Sequence, residues 1–138
     1  MSKSTTLLES VKTFYDKHEH SDVLIDILEK RRGISLRNLE WFITNYSKKT
    51  NLKFTTNKGT TFTVHCSYKS TLDGYSKKLF DPFCRAEKID FNLANGTQIK
   101  TTVAQLNFIK WCITNNIIEY IHDHKDILKS SSSVPQVS

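Results

Sequence analysis

From Val103 to Thr114 the chain reads Val-Ala-Gln-Leu-Asn-Phe-Ile-Lys-Trp-Cys-Ile-Thr, with apolar residues on nearly every side of a helix. A helix without a polar face has to be surrounded, so the rest of the fold must be arranged around this segment. Thr102 and Gln105 offer a capping box to start it. Asn115-Asn116 interrupts it before the segment from Ile117 to Ile127.

The elements available to cover that helix can be read upstream. Leu7, Leu8, Val11, Phe14 and Tyr15 repeat at helical spacing, and Thr6 with Glu9 suggests the cap. After a polar break from Lys17 to His20, Ser21 reads as the N-cap of a second helix carrying Val23, Leu24, Ile27 and Leu28, with Gly33 just past its end. Ser35 caps a third helix whose inner side is Leu36, Leu39, Phe42, Ile43 and Tyr46. Strand-like alternation follows from Leu52 to Thr56 and from Thr60 to Cys66, around Asn57-Lys58-Gly59. A short helix is expected from Ser70 to Leu79, ended by Asp81-Pro82. Lys88 to Leu93 and Gln98 to Thr101 then form a second hairpin about Asn95-Gly96.

The expected fold class is α+β: helices packed around two short antiparallel β-hairpins, winged-helix-like in the N-terminal half. A chain of 138 residues, 38% apolar with 15 aromatics, can bury such a core without disulfides. One domain is expected over residues 1–129, with a disordered Ser-rich tail over 130–138. Cys66, Cys84 and Cys112 form no CxxC pair and are expected as free buried thiols. The start of the chain lacks the apolar stretch of a secretion signal, and no run is long enough to span a bilayer. The expected setting is therefore inside a cell or a particle, with no membrane partner.

Charge is unevenly spread. Of the net +6, the segment from Lys30 to Lys88 carries 13 Lys/Arg against four acids, whereas the remainder carries seven against ten. Such segregation draws polyanions to one part of a surface. The order helix, helix, helix, hairpin, with Arg31-Arg32-Gly33-Ile34 as the turn, has helix-turn-helix spacing. In that reading the third helix presents Arg37, Asn38, Trp41, Asn45 and Lys48 to the major groove, where Arg and Asn match guanine and adenine edges. The plain alternative is an αα-hairpin with a solvated outer side. A second cluster interleaves cations with rings: Tyr68, Lys69, Tyr75, Lys77, Lys78, Phe80, Phe83, Arg85 and Lys88. That mixture suits single strands, although Phe80 and Phe83 beside a proline turn read first as core plugs. The expected nucleic-acid-binding residues are Arg31, Arg32, Arg37, Asn38, Trp41, Lys48, Lys49, Lys77, Lys78, Arg85 and Lys88.

Other chemistries find little support. His18-Glu19-His20 and His122-Asp123-His124 have i,i+2 spacing, which converges on one side only in a strand, so exposed histidines and no metal are expected. His65-Cys66 on a strand would point to opposite faces. No GxSxG, HExxH or phosphate-cradling glycine loop occurs, so no enzyme, cofactor or small-molecule substrate is expected.

Three runs together carry a family likeness: Ile34 to Lys49, Tyr75 to Arg85, and Thr101 to Phe108. They resemble a small basic protein that recurs in nucleocytoplasmic large DNA viruses of amoebae and algae, over roughly Ser35 to Ile121. The resemblance implies a setting: a viral factory in the host cytoplasm, or the virion. A non-enzymatic accessory protein binding nucleic acid, DNA ahead of RNA, through a cationic face is the expected function. The alternative is a structural or adaptor virion component acting through contacts with other virion proteins.

Overall fold

The apolar run is the helix on which the others are laid. A computed structural model describes residues 3–31, 33–56, 58–85 and 87–127. In chain order its elements are α1 (Lys3–Tyr15), α2 (His18–Leu28), α3 (Leu36–Trp41), a π turn (Phe42–Tyr46), α4 (Ser47–Thr50), β1 (Lys53–Thr55), β2 (Thr61–Thr63), α5 (Val64–Tyr75), α6 (Lys77–Phe80), β3 (Ile89–Asn92), β4 (Gln98–Thr101), α7 (Val103–Thr114) and α8 (Ile117–Asp123). Each hairpin is a separate two-stranded antiparallel sheet, β1 with β2 and β3 with β4. The class is α+β.

Helix α7 buries Ala104, Leu106, Phe108, Ile109 and Cys112 completely and has α1, α2, α6 and α8 as close neighbours. Leu106, Phe108 and Ile109 each contribute about 1.5–3 kcal/mol by leaving water. On the α1 side, the buried Tyr15 hydroxyl donates to the Leu106 carbonyl at 2.7 Å. On the α6 side, the Phe80 ring meets Phe108 edge-on at 5.6 Å and Trp111 at 5.7 Å. Asn107, polar yet buried, donates to the Leu79 carbonyl at 2.9 Å. That bond occupies a carbonyl which a helix end leaves unpaired. Among the described residues no buried side-chain nitrogen or oxygen lacks a partner.

Several local expectations shift. Helix α1 already begins at Lys3, so Thr6 and Glu9 lie inside it rather than capping it. Helix α2 begins at His18, not Ser21. Ser21 is buried; its hydroxyl donates to the Tyr15 carbonyl at 2.6 Å and accepts from the Ala94 amide at 3.2 Å. The helix ends before Gly33 is reached: Lys30 takes φ +59°, Arg31 N donates to Asp26 O at 2.9 Å and Lys30 N to Ile27 O at 3.4 Å. That is a Schellman stop with lysine in the left-handed position, and Gly33 (φ +76°) serves the next turn. The link between α2 and α3 thus runs from Glu29 to Ser35 and is longer than a helix-turn-helix turn.

The first hairpin also differs from a wing. Phe54 and Phe62 face each other across it. Their rings pack on Tyr120 at 5.0 Å and Trp111 at 5.8 Å, which holds the hairpin against α7 and α8. Among the described residues, the long α2–α3 link and this packed hairpin both depart from the short turn and free wing of a winged helix. Val64, His65 and Cys66, expected in a strand, open α5 instead. That helix runs to Tyr75, and Ser76 at φ +78° separates it from α6. Thr102 caps α7 by accepting from the Gln105 amide at 3.1 Å. The Gln105 side chain does not close the box; it accepts from the Thr101 hydroxyl and donates to the Pro82 carbonyl at 3.2 Å. Residues 130–138 lie outside the described residues.

Candidate nucleic-acid interface

Ser35 and Asn38 close a reciprocal capping box on α3: the Ser35 hydroxyl accepts from Asn38 N at 3.1 Å, and the Asn38 amide oxygen accepts from Ser35 N at 3.0 Å. From this fixed start α3, the π turn and α4 continue without a break to Thr50, where Asn51 (φ +52°) stops the helix. Leu39, Phe42, Ile43 and Ser47 are buried along its inner side. The outer side carries a concavity of about 810 Å³ lined by Trp41, Thr44, Asn45, Tyr46, Lys48, Lys49 and Thr50. Three local bonds shape this wall: Thr44 Oγ1 donates to Glu40 O, Asn45 Nδ2 to Thr44 Oγ1 and Thr50 Oγ1 to Tyr46 O. Single π turns inside α-helices are frequent at functional sites.

The lysines of this wall are exposed, and no carboxylate pairs with them among the described residues. Helix α5 packs on the π turn and α4, and its His65 lies within the electrostatic reach of both Lys48 and the exposed Lys69. Burial, then Lys48, then Lys69 hold the His65 imidazole below its usual pKa of 6.5. At the other end, the Arg37 guanidinium lies over the Phe83 ring, 5.6 Å from its centroid. Phe83 is 48% exposed, the large apolar side chain that stands out in solvent among the described residues. Of Phe80 and Phe83, both expected in the core, Phe80 is buried there and Phe83 is not. Beneath this end burial, then Asp81, raise the half-buried Glu40 carboxyl above its ordinary range against the pull of Arg37. Tyr68 is pushed up to about 12 by burial, Glu40, Asp81 and Cys112.

The expected residues divide accordingly. Trp41, Lys48 and Lys49 line one concavity, with Arg37 a turn before it on the same helix. Lys77 and Lys78 are exposed on α6, next to α5, and Arg85 and Lys88 are exposed beyond Phe83. Arg31 drops out as a free cation because Glu29 pairs with it. Asn38 drops out as a base reader because its amide oxygen caps its own helix. Arg32 lies outside the described residues. His65 was missed as a site residue because residues 64–66 read as strand; in α5 its i,i+4 spacing places it with Lys69, which the sequence grouped with the second cluster.

The histidine pairs gather no ligand set, and no group of three His, Cys, Asp or Glu fit for a metal occurs among the described residues. His20 is not exposed as expected: its ring stacks on Phe14 at 3.9 Å and its Nδ1 bonds the Phe14 carbonyl. Of the cysteines expected to be buried, Cys112 is, whereas Cys84 is half-buried and Cys66 exposed. No described helix is long and apolar enough to cross a membrane.

Comparison with known proteins places this geometry in a lineage. A model for a family of unknown function, DUF7197, matches residues 1–135. The chain belongs to this family. It is 36% identical over 136 residues to an uncharacterized protein of Acanthamoeba polyphaga mimivirus, covering 92% of this chain and 52% of that protein. The chain therefore spans about half the length of its mimivirus relative. The likeness to proteins of large DNA viruses noted in the sequence is shown. No solved structure matches DUF7197 as represented by this chain.

Proposed function

We propose that this member of DUF7197 is a non-enzymatic accessory protein of a large DNA virus that binds nucleic acid, DNA ahead of RNA, in the viral factory or the virion. The observation that carries the reading is the α3–α4 concavity, walled by unpaired Lys48 and Lys49 and neighboured by Lys69. Arg37, Lys77, Lys78, Arg85 and Lys88 are the further cations offered to phosphate. Lysines without carboxylate partners are free to displace the counterions of a polyanion, the main source of sequence-independent affinity.

The adaptor alternative calls for an exposed apolar patch of several hundred Å². Phe83 alone is a narrow base for that reading.

The test is a titration of the purified protein with labelled DNA at several salt concentrations. Affinity is expected to fall steeply from low to physiological salt, by about 0.7–0.9 in log–log slope per phosphate engaged. The triple variant Lys48→Glu, Lys49→Glu, Lys69→Glu should lose most of that affinity. Absence of binding at low salt refutes the proposal.

A further inference from the structure

We infer that the nucleic acid taken at this surface is single-stranded, with a base stacked on Phe83 at the Arg37 end and phosphates on Lys48, Lys49 and Lys69 at the other. The inference rests on the nucleic-acid reading above and names the form of its ligand.

Groove-reading of a duplex needs a helix whose leading side chains are free to meet base edges. Here α3 has six residues before the π turn. Of the expected Arg and Asn readers, Asn38 has its amide oxygen committed to Ser35, so it cannot make a bidentate pair with adenine, and the Asn45 amide nitrogen donates to Thr44 Oγ1. Arg37 lies over the Phe83 ring. The hairpin that would reach a neighbouring groove is held by Tyr120 and Trp111.

What remains open matches a flexible strand. Arg37, Trp41, Asn45 and Lys48 recur every three or four residues along one helical stretch, a track of about 16 Å at ~1.5 Å per residue. Lysines stand at one end. The other end has an aromatic ring nearly half in solvent, next to the Arg37 guanidinium, with the Asp81 carboxylate accepting from the Phe83 amide. That carboxylate repels phosphate there and leaves the ring to a base, while Arg37 adds a cation that can itself stack. An aromatic step beside a cationic track is how proteins hold single strands without reading sequence.

The experiment compares binding of a labelled oligothymidylate and a hairpin duplex of equal nucleotide number, at matched salt, with polyglutamate as competitor. The single strand is expected to bind at least ~10-fold more tightly. Phe83→Ala should weaken it by about 5- to 100-fold with the salt slope unchanged, whereas Phe83→Tyr should stay within about threefold. The exposure of Phe83 keeps both variants folded, which circular dichroism checks. Equal or tighter duplex binding, an indifferent Phe83→Ala, or displacement by polyglutamate at equal charge would overturn the single-strand inference. Failure to bind either DNA at low salt would overturn the nucleic-acid reading itself.

Discussion

The surroundings of α7 and the outer side of α3–α4 obey opposite rules. Around α7, buried polar groups are partnered: Tyr15 with Leu106, Asn107 with Leu79, Gln105 with Thr101 and Pro82. Along α3–α4, Lys48 and Lys49 have no carboxylate partner among the described residues, and beside Arg37 the Phe83 ring stands nearly half in water. Stability is concentrated in the first region, so the second is free to keep a surface suited to a charged ligand. The two are joined through α5, which packs on the π turn and α4, and α6, which packs on α5 and α7.

The sharpest way to break this division is to disturb α7. Phe108→Ala removes a fully buried ring set against Phe80 and Tyr68 and should cost about 3–5 kcal/mol in urea unfolding. Tyr15→Phe deletes one buried donor and should cost about 1–2 kcal/mol by the same measurement. Ser35→Ala opens the α3 capping box and should cost about 1 kcal/mol; because it frays the start of the reading helix, it also lowers DNA affinity. Lys48→Glu with Lys49→Glu should move stability by no more than about 0.5 kcal/mol yet reduce DNA binding. A large loss of stability there would erase the division between the regions.

The smallest effect is in pH. Burial and the two lysines favour neutral His65 in the fold, so its share of stability is complete above pH 6.5 and lost as pH falls through the lowered value. A phosphate bound between Lys48 and Lys69 reverses that bias and draws a proton. DNA affinity should therefore rise as pH drops across 6.5, and His65→Gln should flatten the rise in an anisotropy titration.

The sequence made some of this legible because the signals were local. The apolar wheel of Val103 to Thr114, the Ser35 cap and the Asn95-Gly96 turn each depend on residues a few positions apart, and each appears in the structure. What was misread depends on distant partners. Ser21 looked like a cap, but its hydroxyl serves Tyr15 and Ala94. Gly33 looked like a stop, yet Lys30 takes the left-handed turn first. The β-branched Val64 with His65 and Cys66 mimics a strand, while packing against α4 and the π turn makes it helix. The site suffered the same way: Lys48, Lys49 and Trp41 were readable from one helix, but Lys69 and exposed Phe83 needed the contacts of α5 and of the segment after α6.

The Ser21 bridge has a consequence for how this chain can vary. One hydroxyl ties the start of α2 to Ala94, 73 positions later, with Tyr15 against Phe91 alongside. Every cation of the proposed surface lies on the long detour that leaves and returns at this neck. Loop closure depends only logarithmically on length, so doubling an exposed turn of that detour, such as the one about Gly59, adds about 0.6 kcal/mol. Insertions in such turns are tolerable to the framework in a way that changes at the neck are not.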